Sequence, residues 1–224
     1  MAKKAEAKRA ATKVDEAQPA ADAISIDRIA AETIRVPIVG TTPLIVHRFS
    51  EKAKRIMLDG MIGRKTPKMP KDPEAEYEAS RYLLADGKSD GFPVVAFKLA
   101  TIGGARFYGK NQVTMTGLRQ FLFFHGEIGA DGQMLAPIEG EPHMREDVVR
   151  VGRGQADLRY RAEFVDWRTV LRVTYVTSAL TRSSVLSLID AGGMGVGVGE
   201  WRPEKSGQNG TYQIDEEREI EVVD

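Results

Sequence analysis

Apolar and polar residues alternate with a period of two along residues 157–165 and 167–177. The apolar positions are Leu158, Tyr160, Ala162, Phe164, Trp167, Leu171, Val173 and Tyr175. This pattern is typical of strands with one buried face. The opposite face carries Arg159, Arg161, Arg168 and Arg172, which we expect either to contact a ligand or to form salt bridges with Glu163 and Asp166.

Two other apolar stretches predict further strands. Residues 33–39 are rich in β-branched side chains, and residues 120–128 lead through a glycine turn into 134–140. The first stretch is expected to form a buried strand. The second is expected to form a strand followed by a hairpin.

Helical spacing and capping residues predict four helices. The first begins after Ser50 and ends near Met61, and the second has Asp72 as N-cap and Pro73 in its first turn. The third covers 95–108 and places Val95, Leu99 and Ile102 on one side. The fourth covers 181–191, with Thr181 or Ser183 as N-cap and Gly192 or Gly193 as terminator.

Composition limits the domain organisation to one domain between two unusual ends. Residues 1–23 contain mainly Ala, Lys and Glu, so we expect a disordered tail. Residues 24–214 are expected to form one domain, followed by a loosely held acidic segment at 215–224. The absence of cysteine and of long apolar runs favours a cytoplasmic protein with no membrane partner.

Charge is distributed unevenly although the formal net charge of the chain is +0. Residues 215–224 carry six acids and one arginine, whereas 47–71 carries eight basic residues and two acids. The eight are Arg48, Lys52, Lys54, Arg55, Arg64, Lys65, Lys68 and Lys71. Such a segment, expected as a basic insertion after the first strand, either follows phosphate groups or is a solvated helix and loop. The acidic segment is a candidate to fold over it.

A glycine-rich stretch, 192–212, contains seven glycines around Trp201, Arg202 and Lys205. Glycines without Cβ allow close backbone approach, so Gly195, Gly197 and Gly199 are candidates to present N–H groups to phosphates. Trp201 is a candidate to stack on an unpaired base, while Arg202 and Lys205 contact the backbone. The alternative is a terminal hairpin with Trp201 in the core.

Residues suited to catalysis are few. His47, His125 and His143 are scattered without metal-ligand spacing, and no hydrolase or metalloprotease motif is present. We therefore expect no metal, no cofactor and no catalytic residue.

The glycine-rich stretch resembles the C-terminal glycine-rich loop of the RAMP superfamily, the backbone and processing proteins of CRISPR effectors. Residues 92–106, "FPVVAFKLATIGGAR", are similar to a helix of that family, with Pro93 and Lys98 in matching positions. Leu99 replaces the family's glycine, and Arg106 lies four residues later than the family's arginine. The whole sequence also resembles uncharacterised bacteriophage proteins.

The resemblance implies an α+β, ferredoxin-like (RRM-like) βαββαβ core. We expect its elements, in order, to be residues 33–39, 95–108, 157–165, 167–177, 181–191 and a glycine-rich strand. The resemblance and the residues above predict a non-catalytic protein that binds single-stranded RNA or DNA and assembles as a homo-oligomer along it. Lys98 and Arg106 join the predicted binding residues.

Two alternatives remain open. The resemblance also extends to metal-independent endoribonucleases, for which His47 is the candidate general acid or base. The neutral total charge and the acidic end favour instead a phage structural or host-interaction protein.

Overall fold

A computed structural model describes residues 26–64, 70–109, 114–151 and 155–223. The predicted disordered tail, residues 1–23, lies outside these ranges, as do Lys65 and Lys68. The strands, in chain order, are β1 (Ala31–Gly40), β2 (Leu44–Val46), β3 (Tyr82–Leu83), β4 (Asp90–Pro93), β5 (Leu122–His125), β6 (Glu127–Ile128), β7 (Met134–Pro137), β8 (Pro142–Val151), β9 (Gln155–Phe164), β10 (Arg168–Val176), β11 (Tyr212–Ile214) and β12 (Glu221–Val223). The helices are α1 (Glu51–Met61), α2 (Pro73–Ser80), α3 (Val94–Gly104), α4 (Met115–Phe121) and α5 (Arg182–Gly195). Short 3₁₀ helices cover Ala105–Phe107 and Pro203–Lys205.

The central sheet has the strand order β11-β1-β10-β5, with every neighbouring pair antiparallel. Helix α3 lies in the connection from β1 to β5, and α5 lies in the connection from β10 to β11. This β1-α3-β5-β10-α5-β11 succession and strand order define the ferredoxin-like topology. The predicted α+β, ferredoxin-like class is confirmed.

The hydrophobic core lies between this sheet and the two helices. Its sheet side includes Ile34, Val36 and Leu171, and its helix side includes Phe97 and Ile189, all of which are buried. Alternate positions on β10 are buried, as the period-two pattern predicts.

The second strand of the core was assigned incorrectly from the sequence. The prediction placed it at 157–165, but these residues belong to β9, which pairs with β8 and β2 in a separate sheet. The core strand is β5, within the stretch 120–128 that was predicted as a strand. Alternation specifies which side chains share a face but does not specify the partner strand.

Helix α5 continues past its predicted end because its glycines allow close contact with α3. A Cβ on Gly192 would lie 2.4 Å from the backbone oxygen of Ala100, and one on Gly104 would lie 2.7 Å from the nitrogen of Gly192. The prediction that Gly192 or Gly193 ends the helix is therefore wrong. The residues that follow form a loop rather than the expected glycine-rich strand, and the last core strand is β11.

The remaining helix predictions are largely confirmed. Asp72 accepts a hydrogen bond from the Ala75 N–H at the start of α2, and Thr181 caps α5 through the Ser184 N–H. The grouping on α3 is wrong, because Ile102 is buried whereas Val95 and Leu99 are 56% and 54% exposed. Among the described residues, no helix is long and apolar enough to cross a membrane.

The acidic segment, as far as residue 223, is held rather than loose. Strand β12 pairs with residues 33–35 of β1, and Ile220 packs against the core. Arg168 and Arg218 each lie within 3.7 Å of Asp215. The described part of the segment thus lies on the central sheet, and the candidate arrangement over residues 47–71 is not found among the described residues.

Candidate nucleic-acid interface

The loop after α5 is fixed by backbone hydrogen bonds. Val198 donates to the Gly210 oxygen at 2.9 Å, and Glu200 donates to the Ile45 oxygen at 3.0 Å. Gly197 and Gly199 adopt left-handed φ values of 69° and 77°, which side chains rarely allow. The glycines therefore let this loop turn tightly against its neighbours.

The backbone N–H groups in this loop are not all free to bind a phosphate. Gly197 donates to the Gly192 oxygen at 2.9 Å, and Gly195 is the last residue of α5. A Cβ on Gly195 would lie 2.0 Å from the Phe107 ring. At Gly195 and Gly197 the glycines serve close packing, and the Gly197 N–H is already bonded within the protein.

Trp201 projects from this loop and is 47% exposed. Its φ of 57° is left-handed, a conformation that costs a bulky residue about 1 kcal/mol or more. The buried tryptophan is Trp167, whose Nε1 donates to the Thr42 oxygen at 2.9 Å. The alternative that placed Trp201 in the core is therefore wrong.

A cavity of about 400 Å³ lies between this loop and the exposed face of α3. Val95 and Leu99 provide apolar lining, and the loop contributes residues 196–200. Four predicted binding residues line it together, namely Gly197, Gly199, Arg106 and Arg202. Arg119 of α4 also lines the cavity, although no sequence pattern singled it out.

Two of the cavity's arginines share one carboxylate. Glu204 lies 2.9 Å from Arg202 and 3.7 Å from Arg106. Arg202 also donates to the Gly199 oxygen at 3.0 Å, which fixes its guanidinium group. Because guanidinium groups bind carboxylates and phosphates with the same geometry, Glu204 occupies a position that a phosphate group can take.

His47 separates this cavity from a second one. Arg159 Nη1 lies 3.2 Å from His47 Nε2, and His47 Nδ1 is buried without a hydrogen-bond partner in the described part of the chain. Burial, with Arg161 and Arg159 nearby, lowers the pKa of His47, against an opposing contribution from Glu200. The imidazole is therefore neutral at pH 7, and Nε2 accepts the hydrogen bond from Arg159.

The basic segment 47–71 borders the second cavity, of about 610 Å³, which is lined by Arg48 and Lys71 among others. Both of these cations have acidic neighbours, because Arg48 lies 3.8 Å from Asp131 and Lys71 lies 2.5 Å from Asp157. The positive charge of the segment 47–71 is therefore partly neutralised by carboxylates of the same protein.

Helix α1 and the residues after it carry the rest of this segment. Lys54 lies 2.5 Å from Glu51. Arg55 and Arg64 are exposed and form no ion pair with the residues that the structure describes. The side chain of Lys52 lies outside the described structure. The structure does not bring the side chains of Lys54, Arg55 and Arg64 to the first cavity.

Lys98 and Lys205 also lie outside the lining of the first cavity. The Nζ atom of Lys98 lies 5.4 Å from the centre of the Phe123 ring and donates to the Arg119 oxygen at 3.3 Å. Lys205 is exposed in the 3₁₀ helix that follows Arg202. Trp201, Arg202 and Lys205 thus share one loop, whereas Lys98 lies on α3 with its ammonium group against Phe123 of the edge strand β5.

Most of the arginines on the alternating strands form ion pairs. Arg161 lies 3.3 Å from Asp147, Arg159 lies 3.7 Å from Asp157, and Arg168 lies 3.2 Å from Glu217. These carboxylates replace the expected partners, Glu163 and Asp166. Glu163 instead lies 2.7 Å from Arg145, which the sequence analysis did not identify. Arg172 forms no ion pair with any described residue.

The fold and the cavity together describe a ferredoxin-like protein with a basic, partly apolar recess beside a glycine-rich loop. No protein-family model and no curated protein matches the sequence. Among solved structures, the chain is similar to Cmr6 from Pyrococcus furiosus, with 10% sequence identity and a TM-score of 0.40. The likeness covers 84% of this chain and 100% of Cmr6.

Proposed function

We propose that this protein binds single-stranded RNA or DNA at the glycine-rich loop without cleaving it. The observation that carries the proposal is the position of Trp201, an exposed tryptophan on a fixed loop beside the arginine-lined cavity. Base stacking on an aromatic ring combined with cationic contacts to the backbone is the usual means of binding a single strand. Arg106, Arg202 and Lys205 supply the cations.

The cavity suits an unpaired base better than a duplex. Its apolar side chains, Val95 and Leu99, are exposed to the cavity, and its arginines offer donors to phosphate oxygens. A base in a duplex presents only its edges in the grooves, whereas an unpaired base presents its faces. We therefore expect single strands to bind more tightly than duplexes.

Fluorescence anisotropy with labelled single-stranded RNA, single-stranded DNA and duplex controls at two salt concentrations tests the proposal. We expect single strands to bind with an affinity that falls as salt rises. Equal affinity for duplexes, or no binding at low salt, would contradict the proposal.

Replacement of Trp201 gives a sharper test. Trp201→Ala should reduce single-strand affinity by about 1–3 kcal/mol because a stacking surface is lost. Trp201→Gly should reduce affinity equally but unfold at a higher temperature than the alanine variant, since glycine adopts positive φ without strain. Unchanged affinity in both variants, measured beside their melting curves, would exclude stacking on Trp201.

The geometry of His47 supports the non-catalytic part of the proposal. A general base needs a free lone pair and a general acid needs an accessible proton. In His47, Nε2 accepts from Arg159 and Nδ1 is buried. We expect single-stranded RNA to remain intact on denaturing gels, with or without magnesium; cleavage that disappears in His47→Ala would establish the ribonuclease alternative instead.

The proposal includes assembly of several copies along one strand, in the cytoplasm of a bacterial host infected by the phage that encodes it. Exposed apolar side chains on α1, such as Met57 and Leu58, are the type of surface that associates with protein. Binding stoichiometry on strands of increasing length, measured by light scattering, tests this assembly.

A further inference from the structure

Two arginines and a histidine form a row across the open face of the central sheet. Arg35 on β1 is directly opposite Arg172 on β10, which is directly opposite His125 on β5. Residues directly opposite each other in a sheet share a face. The neighbouring positions Val36 and Leu171 are buried against the helices, so the row faces away from α3 and α5.

The pairing of Arg35 with Arg172 is unfavourable for the sheet itself. Like charges directly opposite each other on adjacent strands are destabilising. Arg35 has a carboxylate nearby, since Glu221 lies at 3.6 Å, but both side chains are more than half exposed. Arg172 has no ion-pair partner in the described part of the chain. A local arrangement that opposes stability points to a role in binding.

The row lines a recess of about 350 Å³. Val170 and Pro137 provide apolar lining, and Glu127 and Glu139 also border the recess. The Glu139 carboxylate is already engaged, because it accepts two hydrogen bonds from Arg218 at 2.9 and 2.7 Å. Neither Glu139 nor Glu127 forms an ion pair with Arg172 in the described part of the chain, so its guanidinium group remains available to a ligand.

The row continues into polar and aromatic groups. Thr174 Oγ1 lies 2.8 Å from His125 Nε2 and 2.7 Å from Thr33 Oγ1. On β5, Phe123 lies two residues before His125, and the Lys98 ammonium lies over its ring. This surface thus combines guanidinium groups with hydroxyl groups and a ring.

We propose that the Arg35–Arg172–His125 row is a second anion site, which binds the phosphate groups of a phosphodiester backbone or of a free polyphosphate. Guanidinium groups match phosphate oxygens in pairs, and a bound phosphate removes the repulsion between Arg35 and Arg172. The inference rests on the proposed function for the source of the phosphates, a second segment of the bound strand. The two recesses share no lining residue.

The test compares Arg172→Gln and the double variant Arg35→Gln/Arg172→Gln with Lys88→Gln, which removes one exposed charge from the turn between β3 and β4, outside the lining of the recess. The probes are a labelled single-stranded oligonucleotide and inorganic tripolyphosphate. Each arginine lost should weaken oligonucleotide binding by roughly twofold to fivefold. Each should also flatten the slope of log affinity against log salt by about 0.7, whereas Lys88→Gln should change neither. The melting temperature of Arg172→Gln should equal or exceed that of the parent, because a like-charge pair is removed.

The outcomes separate this inference from the proposed function. If the double variant binds both probes as the parent does, or if Arg172→Gln unfolds at a much lower temperature, the proposal of a second anion site is wrong. The proposed binding of a single strand at the glycine-rich loop is not affected by that result. If no oligonucleotide binds but tripolyphosphate raises the melting temperature of the parent and not of the double variant, the site is supported with a free polyphosphate as ligand. The proposed function then fails.

Discussion

At the scale of single residues, Glu204 determines how accessible two arginines of the first cavity, Arg106 and Arg202, are to a ligand. Its carboxylate lies between Arg202 and Arg106 and must give way when a phosphate binds there. A bound strand therefore replaces an internal ion pair rather than contacting unpaired arginines. This exchange limits affinity and favours ligands that reach both guanidinium groups.

Replacing Glu204 with glutamine should therefore increase single-strand affinity. Removal of the competing carboxylate is expected to contribute about 0.5 kcal/mol, roughly a twofold gain, in line with a partly exposed ion pair. Glu216→Gln is the matched control, because it removes one exposed negative charge elsewhere. Anisotropy titrations of both variants check the expectation, and an equal gain in both would show that only net charge matters.

At the scale of secondary-structure elements, the contact between α3 and α5 positions the cavity. The two helices approach closely at Gly104 and Gly192, and the loop that carries Trp201 begins where α5 ends. Any displacement of α5 from α3 would move this loop relative to Val95 and Leu99. The glycines thus act on the site through helix packing.

Gly104→Ala should destabilise the protein by about 1–3 kcal/mol, because its Cβ would overlap backbone atoms that cannot move aside. Gly60→Ala in α1 is the matched control, since nothing lies within 4 Å of its Cβ. That change should stabilise the protein by up to about 1 kcal/mol. Urea unfolding of both variants measures the difference, and equal stabilities would contradict the close-packing role.

The same elements show what the sequence can predict. Alternation along β10 and the caps of α2 and α5 are local signals, and they identified these elements correctly. The partner of β9 and the exposure of Leu99 depend on contacts between residues far apart in sequence, which no local pattern encodes. For the site, a glycine pattern located the loop, but the contribution of Arg119 follows only from the position of α4.

At the scale of the whole molecule, zero net charge conceals an acidic segment bound to the central sheet. Among the described residues, its ion pairs with other elements involve Arg35, Arg168 and Glu139, and none reaches a basic residue of 47–71. The described part of the acidic segment is therefore held on the central sheet. Electrostatic effects of the acidic segment should be felt first at the open face of the sheet.

Deletion of residues 219–224 should lower the free energy of unfolding by about 2 kcal/mol, because β12 and the packing of Ile220 are lost. The deletion should not increase, at low salt, the part of single-strand affinity that depends on the basic residues of 47–71. Glu216→Gln/Glu219→Gln, which removes charge but keeps the strand, should leave stability nearly unchanged. Thermal unfolding measures stability, and titrations at low salt measure affinity. If the deletion variant binds more tightly than the parent at low salt, and this gain disappears when Arg55 and Arg64 are also replaced by glutamate, the acidic segment does screen 47–71.

The pairing of β12 with β1 also affects how the protein is made. Strand β1 is synthesised long before β12, so residues 33–35 find their outer partner only when residues 221–223 have emerged from the ribosome. Until then this part of β1 presents unpaired N–H and C=O groups, which are a template for strand addition by other chains. Chains that stop before residue 221 would therefore be more prone to aggregate than chains that contain β12.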